Sequence, residues 1–183
     1  KVAAFEKEFA KRHNVSNAIA TTSCTTALHL ALVSMGVGPG DEVIVPAFTW
    51  IATANVVLYC GAKPVLADID KHTFNIDIDD VLAKVTKQTR AIIPVHLFGL
   101  CVDIEQLRSR LPSDIYILED AACAAGASFK DKAAGGLGDA AAFSFHPRKS
   151  ITTGEGGMLT TNNDQLALIA TQLRNHGASI SEE

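Results

Sequence analysis

Short apolar runs and stretches of helical periodicity alternate along this chain from end to end. Val2, Phe5, Phe9 and Arg12 fall at helical spacing, so the chain opens on an amphipathic helix. Asn17–Ser23 reads as a strand, and Thr25–Met35 as a helix with Ala27, Leu28, Ala31, Leu32 and Met35 on its apolar side. Val37-Gly38-Pro39-Gly40-Asp41 is a turn. A β-branched strand at Glu42–Phe48, a helix at Ile51–Tyr59 and a strand at Lys63–Ile69 follow. Asp77 is placed to cap a helix at Asp79–Val85, and Asp103 to cap Ile104–Leu111. Thr89–Phe98 is the longest predicted strand. Tyr116–Ala121, Ala140–His146 and Gly156–Thr161 complete a set of seven, and a last helix at Asp164–Asn175 stops at Gly177.

Apolar strands that alternate with helices predict an α/β fold. The expected architecture is three-layer αβα, with a mostly parallel seven-stranded sheet covered on both faces. Ligands of such sheets bind at the carboxyl ends of strands. That rule gathers Ser23–Thr26, Phe48–Trp50, Phe98, Asp120–Cys123 and His146–Lys149 around one crevice.

Composition narrows the class without changing the fold. The 183 residues suffice for one domain with a sizeable core and are too few for two. With 48% hydrophobic and 20% charged residues the chain is globular, not disordered. A net charge of -4 and the lack of any Lys/Arg run argue against nucleic acid or a membrane surface as partner. No stretch has the length of a membrane span and no signal-peptide pattern opens the chain, so the expected location is the cytoplasm. The chain opens at Lys1 in helical pattern without an initiator Met, which points to a leader outside it. Cys24, Cys60, Cys101 and Cys123 show no CxxC spacing and are expected as free thiols. The six histidines show no HExxH, so no metal site is expected.

Candidate chemistry centres on Lys149, in Phe143-Ser144-Phe145-His146-Pro147-Arg148-Lys149-Ser150-Ile151-Thr152-Thr153-Gly154-Glu155-Gly156-Gly157. A lysine between a strand end and a Gly-rich loop can project its amine into a cleft and form a Schiff base with an aldehyde. Ser23-Cys24-Thr25-Thr26 lies at a strand-to-helix turn, where free N–H groups and the helix dipole favour a phosphate; Thr25 as a plain helix cap reads equally well. Trp50, the only tryptophan, can stack on a ring or serve as core. Asp120 ends an apolar strand without a neighbouring cation, a costly place for a carboxylate unless a partner such as a pyridinium nitrogen meets it. The other reading of Asp120 is a helix cap. Glu119 points to the opposite face and reads as structural. Ser144 is a phosphate donor or an inward strand serine bonded to backbone. Gly135-Gly136-Leu137-Gly138-Asp139 and Gly154-Glu155-Gly156-Gly157 permit close backbone approach, but neither matches a dinucleotide or P-loop pattern.

Taken together these segments resemble the sugar aminotransferases of the DegT/StrS type, within the fold-type-I pyridoxal-phosphate enzymes. The carrying motifs are Thr22-Ser23-Cys24-Thr25-Thr26-Ala27-Leu28, Val45-Pro46-Ala47-Phe48-Thr49-Trp50, Leu118-Glu119-Asp120-Ala121-Ala122 and the Lys149 segment. The resemblance implies pyridoxal 5'-phosphate as cofactor, with Lys149 in the Schiff base and in proton transfer. It implies Asp120 on the pyridine nitrogen, Trp50 on the ring face, and Thr25, Thr26 and Ser144 on the phosphate. Cys123 stands where the family usually has a Gln or His that meets the cofactor's phenolic oxygen. Ala125 stands where a His is common, and Cys24 where a Gly is.

The implied reaction moves an amino group from an amino acid, usually glutamate, to a nucleotide-linked keto-sugar, in a homodimer. Related dehydratases carry a histidine in place of the lysine, so Lys149 argues against that reaction. A non-catalytic regulatory protein that keeps the fold is the other alternative. Family members run to roughly twice this length with a small C-terminal domain. Residues 1–183 are therefore expected to be the large, cofactor-binding domain, able to hold the cofactor but poor in turnover.

Overall fold

The computed structural model describes residues 1–178. In chain order the elements are α1 (Val2–His13), β1 (Asn17–Thr21), α2 (Cys24–Ser34), β2 (Glu42–Pro46), α3 (Ala52–Tyr59), β3 (Lys63–Ala67), α4 (Ile78–Lys84) and β4 (Thr89–Ile92). There follow α5 (Ile104–Arg110), β5 (Tyr116–Asp120), β6 (Ser128–Phe129), β7 (Lys132–Ala133), β8 (Ala140–Ser144), β9 (Gly157–Thr161) and α6 (Asp164–Arg174).

The seven expected strands form one sheet in the order β1-β9-β8-β5-β4-β2-β3. All its pairings are parallel except those of β9, which runs against both β8 and β1. Every residue of β8 and β9 is buried, which is why these segments read as continuous apolar runs.

Strand alternation sorts the core into two layers. Val43, Val45, Leu118, Ala140 and Ala142 pack with α2, α3 and α6. Ile44 and Ile117 face α4 and α5, and Ala141 and Phe143 face Phe9 of α1. Small residues let α2 lie tightly on the sheet: Ala27 and Ala31 are fully buried beside Leu28 and Leu32. Asp77 and Asp103 accept first-turn N–H groups of α4 and α5 as expected, and Gly177, at φ 77°, closes α6 by donating to the Gln172 carbonyl.

Two local expectations are corrected, and one hairpin was not foreseen. Strand β4 ends at Ile92 rather than Phe98, because Pro94 has no N–H to continue a ladder. Beyond it, only Val95 bridges to Asp120, and Leu97–Gly99 forms a 3₁₀ turn. Ser23, not Thr25, caps α2. The β6–β7 hairpin turns through Lys130 and Asp131 at φ 47° and 65°, without the Gly that normally signals such a turn.

Candidate active site

Residues 120 and 144 end neighbouring parallel strands, with Asp120 in register with Ala142. By strand alternation Asp120 follows Leu118, and Ser144 follows Ala142, onto the α2 face of the sheet. The amino end of α2 points at the same place. The result is a cleft of about 410 Å³ at the carboxyl ends of the strands. Thr25, Trp50, Asp120, Ser144, Arg148 and Lys149 line it, with Glu155 at its rim. A larger hollow of about 690 Å³ lies along α1, α2 and α6. Its one strong cation, Arg174, is paired with Glu6, and the charged chemistry of the strand ends is absent from it.

Asp120 is buried at 5% exposure. Its Oδ2 accepts from the Thr53 hydroxyl at 2.8 Å, and its Oδ1 from the Ala122 N–H at 3.2 Å. The Cys24 thiol is a further, weak donor at 3.9 Å. Among the described residues no Lys or Arg pairs with it. Burial pushes the Asp120 carboxyl up, and the Thr53 and Ala122 hydrogen bonds only partly offset this. The same burial, together with the Asp120 charge, pushes the Cys24 thiol well up.

Thr53 was not foreseen from the sequence. It is fully buried on the first turn of α3 and has one proton, which it spends on Asp120. Thr49, at 3.0 Å, must therefore be the donor to Thr53. The signal available was a pair of threonines four residues apart at the start of an otherwise apolar helix.

Lys149 sits in a turn closed by its own N–H to the His146 carbonyl at 2.9 Å. Its Nζ lies 3.0 Å from Cys123 Sγ and meets no carboxylate among the described residues. The Ser144 hydroxyl accepts only a long 3.4 Å bond from the His146 N–H, so its proton is free to face the cleft. Trp50, at 78% exposure, presents its ring to solvent along one wall.

The predicted residues are not all brought together. Thr26 accepts the Ser23 N–H at 2.9 Å while its own N–H goes to Ser23 Oγ at 3.1 Å, completing a capping box. Its side chain lines the larger hollow instead of the cleft. That leaves Thr25 and the unpartnered first-turn N–H groups of Cys24 and Thr25 to meet an anion. Phe98 is exposed on its turn and stays out of the cleft lining. Arg148, within the His146–Lys149 stretch expected at the crevice, is an additional cation there to which no role was assigned from the sequence.

A pyridoxal phosphate fits this donor set. The buried carboxylate lacks a cation, the lysine amine is unpaired, and a helix amino end with two hydroxyls stands beside them. Backbone approach is also closest there: a Cβ on Gly157 would lie 2.3 Å from the Ser23 carbonyl carbon, so only glycine lets β9 pass under the turn that opens α2. Among the described residues no group of three or more His, Cys, Asp or Glu could hold a metal ion.

The chain is similar to proteins already known. The GDP-perosamine synthase of Caulobacter vibrioides is 54% identical over 174 residues, covering 94% of this chain and 47% of that protein. The putative sugar aminotransferase Spr1654 of Streptococcus pneumoniae, in its PLP form, superposes with a TM-score of 0.93 at 32% identity, covering 100% of this chain and 52% of that one. DesI, solved in the presence of its TDP-sugar product, superposes with a TM-score of 0.91 at 38% identity, covering 96% of this chain and 45% of that one. The chain thus spans about half the length of the relatives it matches. The model of the DegT/DnrJ/EryC1/StrS aminotransferase family matches residues 1–183, and the chain belongs to that family.

Proposed function

We propose that this chain is the cofactor-binding domain of a pyridoxal-phosphate aminotransferase that acts on a nucleotide-linked keto-sugar, with an amino acid, glutamate by family resemblance, as amino donor. One observation carries the reading: an unpaired lysine amine and a buried, cation-free carboxylate share one cleft at the strand ends. The substrate class is supported by the relatives, whose names include a GDP-perosamine synthase and a protein solved with its TDP-sugar product.

When bound, pyridoxal phosphate supplies an aldehyde for an imine with an amine, and a ring that withdraws electrons from the amine-bearing carbon. Each residue of the cleft has a task toward it. Asp120, oriented by Thr53 and the Ala122 N–H, holds a proton on the ring nitrogen and stabilises its charge. Ser144, Thr25 and the amino end of α2 bind the phosphate. Trp50 covers a ring face and excludes water. Lys149 Nζ, held by no carboxylate, would hold the cofactor at its aldehyde carbon, with water as the leaving group, and would move protons at the substrate carbon. Cys123, beside Lys149, would offer the phenolic oxygen only a weak thiol donor in place of a stronger one.

A second copy of the chain is the proposed partner. Helix α3 leaves Leu58 and Tyr59 exposed at its end, and Trp50 and Ile51 are exposed just before its start. No helix among the described residues is long and apolar enough to cross a membrane.

The decisive measurement is borohydride reduction of the protein incubated with pyridoxal phosphate, followed by peptide mass mapping. A phosphopyridoxyl adduct on Lys149 is expected, and Lys149→Ala abolishes it. An adduct spread over other lysines, or none, overturns the reading. Amino transfer from glutamate to a GDP- or TDP-linked keto-sugar, assayed on the full gene product, separates the enzyme from a non-catalytic relative.

A further inference from the structure

Behind the cleft, on the opposite face of β5, Glu119 is fully buried and met by four donors. Its Oε1 accepts the Leu137 and Gly138 N–H groups at 2.8 and 2.7 Å. Its Oε2 accepts the Gly135 N–H at 2.9 Å and meets His96 Nε2 at 2.8 Å. His96 is fully buried as well, and its Nδ1 accepts the Val102 N–H at 3.1 Å. A nitrogen that accepts cannot carry the proton, so Nε2 carries it and donates to Glu119. Space for this arrangement is reserved: a Cβ on Gly138 would lie 2.7 Å from the Ile117 carbonyl oxygen.

His96 and the nearby Pro94 hold the main chain of Asp120. The His96 N–H donates to the Asp120 carbonyl at 3.0 Å, and the Asp120 N–H donates to the Pro94 carbonyl at 2.8 Å. A closed ring results. It runs from the Glu119 carboxylate through the His96 imidazole and the His96 N–H to the Asp120 carbonyl, and back along one peptide unit to Glu119. On its other side Asp120 is tied by the Ala121 N–H to the Ala142 carbonyl at 2.9 Å. The ring sets the height and tilt of the peptide from which the Asp120 side chain enters the cleft.

We propose that Glu119 and His96 are a positioning pair for Asp120, fixing the carboxylate where it meets a protonated ring nitrogen. Neither side chain touches the cleft, so both act through Asp120. The inference rests on the reading of Asp120 given above. A purely structural carboxylate would hold the 135–138 loop and leave the field at the ring nitrogen unchanged.

The test loads the chain with pyridoxal phosphate labelled with 15N in the ring and reads that nitrogen by NMR. Glu119→Gln is isosteric but sets an amide NH₂ against N–H donors. Its ring-nitrogen signal is expected to move toward the unprotonated position, and its cofactor dissociation constant to rise about tenfold, as when an outer hydrogen-bond partner is lost at a ligand-orienting site. His96→Leu is expected to do the same. His96→Gln, whose carbonyl and amide reproduce the acceptor and donor of the imidazole, is expected to restore the parent signal.

A parent-like signal and affinity in folded Glu119→Gln and His96→Leu overturns the pair. Asp120→Asn separates the two levels of the argument. If it also leaves the signal unmoved, the assignment of Asp120 fails; if it moves the signal while the other two do not, only the positioning pair fails. In the unaltered protein, 15N-labelled histidine must show His96 protonated at Nε2 alone. A proton on Nδ1 overturns the proposal whether or not the variants fold.

Discussion

Asp120 and Glu119 are adjacent carboxylates with opposite fates, and the difference lies in how many donors each meets. Glu119 has four, which suits an acceptor-only group in a dry interior. Asp120 has the Thr53 hydroxyl and one N–H, and burial raises its pKa from the ordinary 3.8. With the folded-state pKa above the unfolded one, the unfolded chain releases its proton first as pH rises, and stability falls across that window. Asp120→Asn is therefore expected to unfold at a higher temperature than the parent at neutral pH without cofactor. Its amide can donate to Thr53 and accept from Ala122. The gap is expected to narrow as pH falls toward 3.8, which calorimetry across pH would record. A parent more stable than the variant at neutral pH would refute this account. Asp120 and Ser144 were legible as polar residues closing largely apolar strands, and Thr25 and Lys149 because each lies in the loop or turn just after a strand. Thr53 was not, because only the docking of α3 against β5 turns a helix threonine into a carboxylate partner.

At the scale of elements, the anion-binding end of α2 depends on a strand far away in sequence. The capping box between Ser23 and Thr26 shapes the turn locally, from residues three apart. What holds the turn against the sheet is the bare backbone of Gly157 at the start of β9. Gly157→Ala is expected to cost about 3 kcal/mol, at the upper end of overpacking penalties, because backbone and not a flexible side chain stands in the way. Displacing the turn should weaken cofactor binding in parallel. Denaturant unfolding and a cofactor titration on the same variant measure the two losses, and parental values in both would remove Gly157 from the account. The sequence pattern located this loop but not its constraint. It likewise placed β4 correctly at its start and overran its end, since Val95 and His96 are buried without belonging to a ladder. Residues bonded to the chain end of β5 look, in one dimension, like a continuing strand.

For the molecule as a whole, the unpartnered surface of α3 is the outstanding feature. Val56 and Val57 are fully buried, while Leu58 and Tyr59 stand at 57% and 59% exposure on a helix without a single charge. Single exposed apolar residues are ordinary, but two exposed apolar pairs, Trp50 with Ile51 before α3 and Leu58 with Tyr59 at its end, make this region the proposed site for association. The protein is expected to sediment as a dimer, and Leu58→Glu or Tyr59→Glu to sediment as a monomer with unchanged secondary structure. A parent chain that sediments as a monomer at micromolar concentration would rule the interface out.

The alternation of two periodicities was enough to determine the fold class and the seven strands, because a sheet buried on both faces must be apolar along its whole length. It was enough as well to mark the strand ends where polar residues gather. The tertiary structure alone decided which of those residues share the cleft. It turned Thr26 back into its own helix cap, left Phe98 outside, brought Thr53 to Asp120, and closed the ring through Glu119 and His96. The contacts to Thr53 and His96 join residues 67 and 23 positions apart, set by strand order and helix docking. No local pattern of hydrophobic and polar positions encodes a partner at such a distance.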